Sequence, residues 1–160
     1  DESFLMPAAK ALSMFIYGPE MTQHYIETNI HSFLFEIAHN GEIAFPIHVE
    51  VFKAICKLVS SSFYEEANTF IKMNFITLVE DQIEMMVKLP NTTIDALSRI
   101  IDLSESCEEA KEWSNLIFGS ETIISQLQYV VDHPDEIDED NYAQDLVQNA
   151  SSLLQRRPDD

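Results

Sequence analysis

Apolar residues recur three and four positions apart along most of the chain, and strand-like alternation is nearly absent. Ile47, Val51, Ala54, Ile55, Leu58 and Val59 form one stripe. Phe75, Leu78, Val79, Ile83, Met86 and Val87 form a second, and Leu97, Ile100, Ile101 and Leu103 a third. Such spacing puts the side chains on one face of a helix, so the pattern predicts an all-α fold with short breaks. The breaks are legible. Pro19 follows Gly18, and Asn40-Gly41 and Pro46 separate two helices. Pro90-Asn91-Thr92 stops one helix and opens another, with Thr92 or Thr93 as its N-cap. His133-Pro134-Asp135 ends a helix before an acidic stretch.

Shifted against itself by about 45 positions, the sequence has weak self-similarity, within the range of helical repeat periods. Tyr25 to Ile30 falls on Phe70 to Phe75, and a further step puts Leu116 under Ile71 and Gly119 under Asn74. Leu34, Val79 and Ile124 then align, as do Phe52 with Leu97, Ile55 with Ile100, and Leu58 with Leu103. A loop about five residues longer, between Asp132 and Asn141, brings Val147, Ala150 and Leu153 into the series. Asn29, Asn74 and Gly119 share one place between two helical patterns. Asn and Gly enter the left-handed backbone region at least cost, so a left-handed residue is predicted at all three. Each unit then reads as a short helix, a tight turn, a second helix, a loop and a longer third helix. Third helices are expected over 46–61, 91–106 and 139–155, and 4–17 as the end of a preceding one. Units that cannot bury their own apolar stripe must stack on neighbours.

A three-helix unit of this length resembles the armadillo repeat, over nearly the whole chain. Ile26-Glu27-Thr28-Asn29-Ile30 resembles the family's V-x-x-G-x-I turn into the second helix, with Asn29 in place of the usual Gly. Within the family the chain is similar to the C-terminal part of importin α (karyopherin α). Glu50 to Lys57 resembles the third-helix E-A-A-W-A-I-S-N, Ser120 to Gln128 the G-L-x-x-I-x-x-L-Q of the last repeat, and Ile137 to Leu154 an acidic loop and closing helix. The resemblance implies a right-handed superhelical solenoid. About three repeats (19–62, 63–107 and 108–156) would follow a partial one (1–18), with 157–160 as a tail.

Members of that family read nuclear-localisation peptides with a Trp and an Asn one turn apart on the third helix. The indole stacks on a basic side chain and the amide clamps the peptide backbone. Here those positions hold Lys53 and Lys57, then Ser98 and Asp102, then Gln148 and Ser152. The single Trp, Trp113, sits in a first helix instead. The Trp/Asn mode is therefore not expected. The family's last repeats contact the export receptor (exportin) and nucleoporins, and the resemblance implies that role, with a cytoplasmic and nuclear location.

Glu50, Asp95 and Asp145 align across the third helices. On a concave face they would form an acid ladder for the Lys or Arg side chains of a basic, extended peptide segment. The bland alternative is that each acid merely favours the first turn of its helix through the macrodipole. The candidate groove is thus Glu50, Lys53, Lys57, Asp95, Ser98, Asp102, Asp145, Gln148 and Ser152. An armadillo-like scaffold or regulatory domain of a cytoskeletal or signalling protein, with no transport role, fits the same residues. A dimer through an exposed end of the stack is a further expectation.

Charge narrows the partners. The 160 residues carry 28 acids against 9 Lys plus Arg, a net charge of −19. A nucleic-acid phosphate binder needs the opposite sign, and so does docking on an anionic membrane. No Lys or Arg occurs from Glu112 to Gln155, so that end is a negative field that would steer a basic partner. With 46% apolar residues the chain is no disordered acidic tail, and it begins at Asp1, as a piece of something longer would. Cys56 and Cys107 lack metal-ligand spacing and read as reduced, mostly buried thiols. The acids between Asp132 and Asp140 lack the alternation and closing Glu of a calcium loop. The five histidines form no paired ligand motif, and His31 reads as packed rather than ligating. Phe33, Phe35, Phe63, Phe70 and Phe75 could line a partner groove, but at helical spacing they read as core. No catalytic constellation, metal site or cofactor site is expected.

Overall fold

The apolar stripes become helices. A computed structural model describes residues 2–85, 91–134 and 142–158, and over these the chain is all-helical. In chain order the helices are α1 (Glu2–Phe15), α2 (Pro19–Glu27), α3 (Ile30–His39), α4 (Phe45–Ser60), α5 (Tyr64–Lys72), α6 (Phe75–Met85) and α7 (Asn91–Ser106). After one 3-10 turn (Glu108–Ala110) come α8 (Trp113–Phe118), α9 (Glu121–Asp132) and α10 (Tyr142–Gln155). The long helices pack in series, α1 on α4, α4 on α7 and α7 on α10. Beside them α3 packs on α4, α2 on α5, α6 on α9 and α9 on α10.

The bounds of α4 lie one residue from the expected 46–61, and α7 covers 91–106. Of the expected 139–155, the first three residues lie outside the described ones, as do Met86 and Val87 and the acids at 135–140. Thr92 and Thr93 are not caps, because α7 is already helical at Asn91. Thr93 instead turns inward, fully buried, and its hydroxyl meets the Cys56 thiol of α4 at 3.8 Å.

Three breaks between short and following helices fall at Asn29, Asn74 and Gly119, but by two mechanisms. Asn29 (φ 59°) and Asn74 (φ 62°) are left-handed, as expected. Asn29 Oδ1 also accepts a hydrogen bond from the Ser32 hydroxyl at 2.8 Å. Gly119 is right-handed (φ −81°), contrary to expectation. It serves for room: a Cβ there would stand 2.7 Å from the Asn115 carbonyl oxygen. Ser120 then caps α9, its hydroxyl accepting from the Ile123 N–H at 3.2 Å and donating to the Glu80 carboxylate of α6.

The core runs along the faces between layers, with Phe52, Ile55 and Leu58 of α4, Ile94, Leu97, Ile100 and Ile101 of α7, and Ile117 of α8 all fully buried. Phe35 stacks on Phe70 (centroids 6.1 Å apart) and Tyr64 on Trp113 (5.4 Å). His31 is buried, edge-on to Phe70, with Nδ1 3.2 Å from the Tyr25 carbonyl oxygen. Of the five phenylalanines read as core, Phe35, Phe70 and Phe75 are buried. Phe33 and Phe63 are exposed, because Phe33 lies on the outer face of α3 and Phe63 precedes α5 rather than joining its stripe.

Basic side chains tie each long helix to the end of the one before it. Lys57 of α4 donates to the Ser13 carbonyl oxygen in the last turn of α1 at 2.8 Å. Arg99 of α7 donates from Nε to the Ser62 carbonyl oxygen just past α4, also at 2.8 Å. Arg156, after α10, meets Asp102 at 2.7 Å and Glu105 at 2.8 Å near the end of α7. Free carbonyls and the negative macrodipole end make a helix C-terminus a natural seat for a cation.

Candidate protein-binding groove

The third-helix positions singled out in the sequence fall on α4, α7 and α10 at one spacing, i, i+3 and i+7, so each set shares a helical face. Their surroundings differ. On α4, Glu50 and Lys53 pair with each other at 3.2 Å, and Lys57 is engaged with α1. All three charged groups of that set are therefore already engaged. On α10, Asp145, Gln148 and Ser152 are all exposed.

The α7 set forms a site. Asp95, Ser98 and Asp102 line an open groove of about 480 Å³, shared with Pro19 at the start of α2, Ser60 and Ser61 at the end of α4, Phe63 before α5, and Arg99. Arg99 is turned to the Ser62 carbonyl, and Asp102 is paired with Arg156. Asp95 has no such partner among the described residues. Asp95 is exposed on the groove wall, and the packing around its base raises its carboxyl above the ordinary value with no cation set against it among the described residues. Two half-exposed or exposed lysines elsewhere are taken by nearby acids, Lys53 by Glu50 and Lys111 by Glu108.

The macrodipole explanation holds for one acid of the three. Asp145 lies in the first turn of α10, whereas neither α4 nor α7 has an acid in its first turn, so Glu50 and Asp95 sit deeper.

Arg99 and the Ser60–Ser61 corner were not foreseen, and Phe63, read from the sequence as core rather than groove, lines the groove. A signal existed for Phe63: the Glu66 carboxylate accepts from its N–H at 3.0 Å, the backbone half of a capping box. Phe63-x-x-Glu66 therefore marked a helix start, where a ring need not face the core. Arg99 gave no such signal, because its partner is a main-chain carbonyl 37 residues away.

Of the two thiols, Cys56 is buried and Cys107 half-buried. Burial pushes the Cys56 thiol far up, and a hydrogen bond to Glu109 raises that of Cys107. Both shifts favour the protonated thiol over the thiolate. Among the described residues no helix is long and apolar enough to cross a membrane.

No protein-family model matches the chain, and no curated protein matches it.

Proposed function

We propose that the chain is a protein-binding module of stacked three-helix repeats of the armadillo type, built like the C-terminal part of importin α. Its α7 groove takes a basic residue of an extended partner segment. Support for the repeat reading comes from the helix order, from the serial packing of α1, α4, α7 and α10, and from left-handed Asn at both 29 and 74. The observation that carries the binding reading is Asp95, an exposed carboxylate that lines an open groove and has no cation partner among the described residues.

A Lys or Arg side chain entering the groove supplies the missing counter-charge, and a charge-assisted hydrogen bond to a partly desolvated acid is stronger than one in free water. The exposed Phe63 ring offers a surface for the aliphatic stem of that side chain. Ser98 adds a hydroxyl that donates to or accepts from the segment's main chain. The Trp and Asn pairs that clamp localisation signals in the family are replaced here, so recognition rests on charge rather than indole stacking. By the resemblance, exportin and nucleoporins are the partners to try first, with a cytoplasmic and nuclear location. Exposed Phe4, Met14, Phe15 and Tyr17 on or just after α1 leave an apolar face that a further repeat or a second copy would cover.

Fluorescence anisotropy with a labelled Lys/Arg-rich peptide tests the groove. The expected result is roughly tenfold weaker binding by Asp95→Asn, about the worth of one charged hydrogen bond. Equal affinity would remove Asp95 from the interface. Association with exportin in the presence of Ran-GTP tests the transport role, and its absence would leave the scaffold reading in place.

A further inference from the structure

A second cavity, of about 470 Å³, opens where the α3–α4 connection meets the end of α6. None of the third-helix positions discussed above lines it. Its wall contains two polar side chains buried without the partners they need. Gln82 is 0% exposed, yet among the described residues neither its amide nitrogen nor its amide oxygen has a hydrogen-bond partner. His48 donates from Nε2 to the Asn40 carbonyl oxygen at 2.8 Å, which fixes the proton on that nitrogen because a carbonyl can only accept. Nδ1 on the other side of the ring is buried and has no partner among the described residues, and in the Nε2–H tautomer it is an acceptor.

Gln82 is also out of place by pattern. Phe75, Leu78 and Val79 are the buried stripe of α6, and position 82 continues it by one turn. An apolar side chain there would avoid stranding an amide. Polar residues set into an otherwise apolar stripe concentrate at functional sites. The rim of the same cavity carries the exposed carboxylates of Asp81 and Glu84, and among the described residues no Lys or Arg lines it. Ile43 and Met85 supply apolar wall.

We propose that this cavity binds the guanidinium of an arginine residue in a partner's peptide segment. A guanidinium has five N–H donors and no acceptor, which matches the two stranded acceptors, His48 Nδ1 and Gln82 Oε1. The peptide carbonyl next to that arginine accepts from Gln82 Nε2. Asp81 and Glu84 neutralise the charge. Both stranded groups lie just beneath the wall, so a rotation of the Gln82 side chain and a tilt of the His48 ring about its Nε2 hydrogen bond bring them to the ligand. An ammonium is also a pure donor, but it is compact and strongly hydrated, whereas the planar fork reaches several acceptors at once with less desolvation. The site is independent of the α7 groove and stands or falls separately from it.

The test is a ¹H–¹⁵N titration of the full chain with N-acetyl-L-arginine amide, with the neutral citrulline counterpart as control. Saturable shifts are expected at the Gln82 side-chain amide and the His48 ring, with the citrulline compound roughly tenfold weaker. Gln82→Leu should melt at a higher temperature and bind the arginine compound roughly tenfold more weakly. The paired change Asp81→Asn and Glu84→Gln, at exposed positions, should weaken it while leaving the fold untouched. No saturable shift at Gln82 or His48, equal binding of the citrulline compound, or full affinity in Gln82→Leu would each overturn the proposal.

Discussion

Three residues at equivalent places in the chain do different work, and substitution separates them. Asn74 is left-handed, so Asn74→Gly should be neutral or slightly stabilising, whereas Asn74→Val should lose about 1–2 kcal/mol in a denaturant titration. Gly119 is right-handed and short of room, so Gly119→Asn should destabilise by about 1–3 kcal/mol, although the aligned residues 29 and 74 are Asn. A purely left-handed turn at 119 would tolerate that Asn. The sequence could reveal that these positions are special, since only a few residue types suit such a corner. It could not reveal which demand, backbone sign or free space, each Gly or Asn meets. Asp95 carries a second residue-scale prediction. Its carboxyl is raised on folding, so the native state holds that proton more tightly than the unfolded chain. The stability this confers is complete below the unfolded value of about 3.9 and is lost as pH rises through the folded value. At neutral pH the ionised acid therefore destabilises the fold. Asp95→Asn should stabilise the fold at pH 7 by less than about 1 kcal/mol given solvent screening, read as a higher Tm, with the difference closing in acid.

At the scale of helices, the hydrophobic period made most of the fold legible. The α4 and α7 stripes are dense, and a segment with apolar residues on one face has few alternatives once neighbours can cover it. What the period does not encode is how one long helix is fixed to the next. Lys57 and Arg99 do this through main-chain carbonyls, and a carbonyl leaves no trace in the sequence. Arg99→Met keeps much of the side-chain stem and removes the bond to the Ser62 carbonyl, so it should cost about 1–2 kcal/mol in chemical denaturation. Arg156 acts through carboxylates and has a pH signature. Its hydrogen bond to Glu105 holds that carboxyl below its ordinary value. A depressed folded value contributes stability that is present above the unfolded value and lost as pH falls through the folded one. Arg156→Ala should thus lower Tm at neutral pH and make no difference in strong acid. The candidate groove was legible only in part for the same reason. Asp95, Ser98 and Asp102 follow from one helical face, while Phe63 and the Ser60–Ser61 corner arrive from other helices, through packing.

Across the whole molecule the net charge of −19 sets both a weakness and a use. Self-repulsion among carboxylates opposes the compact state, so Tm should rise from low salt to about 0.1 M, where the Debye length is about 10 Å. The same salt should weaken capture of a basic segment, so stability and binding should move in opposite directions along one salt series. An anionic partner would not reproduce that divergence. The most direct measurement is a map of backbone amide shifts in the ¹⁵N-labelled chain as a Lys/Arg-rich peptide is added at low salt. Binding through the α7 groove predicts saturable shifts centred on Asp95, Ser98 and Asp102 and on the Ser60–Phe63 corner, abolished or much reduced in Asp95→Asn. Shifts spread evenly over the acidic surface, or unchanged by that substitution, would contradict it.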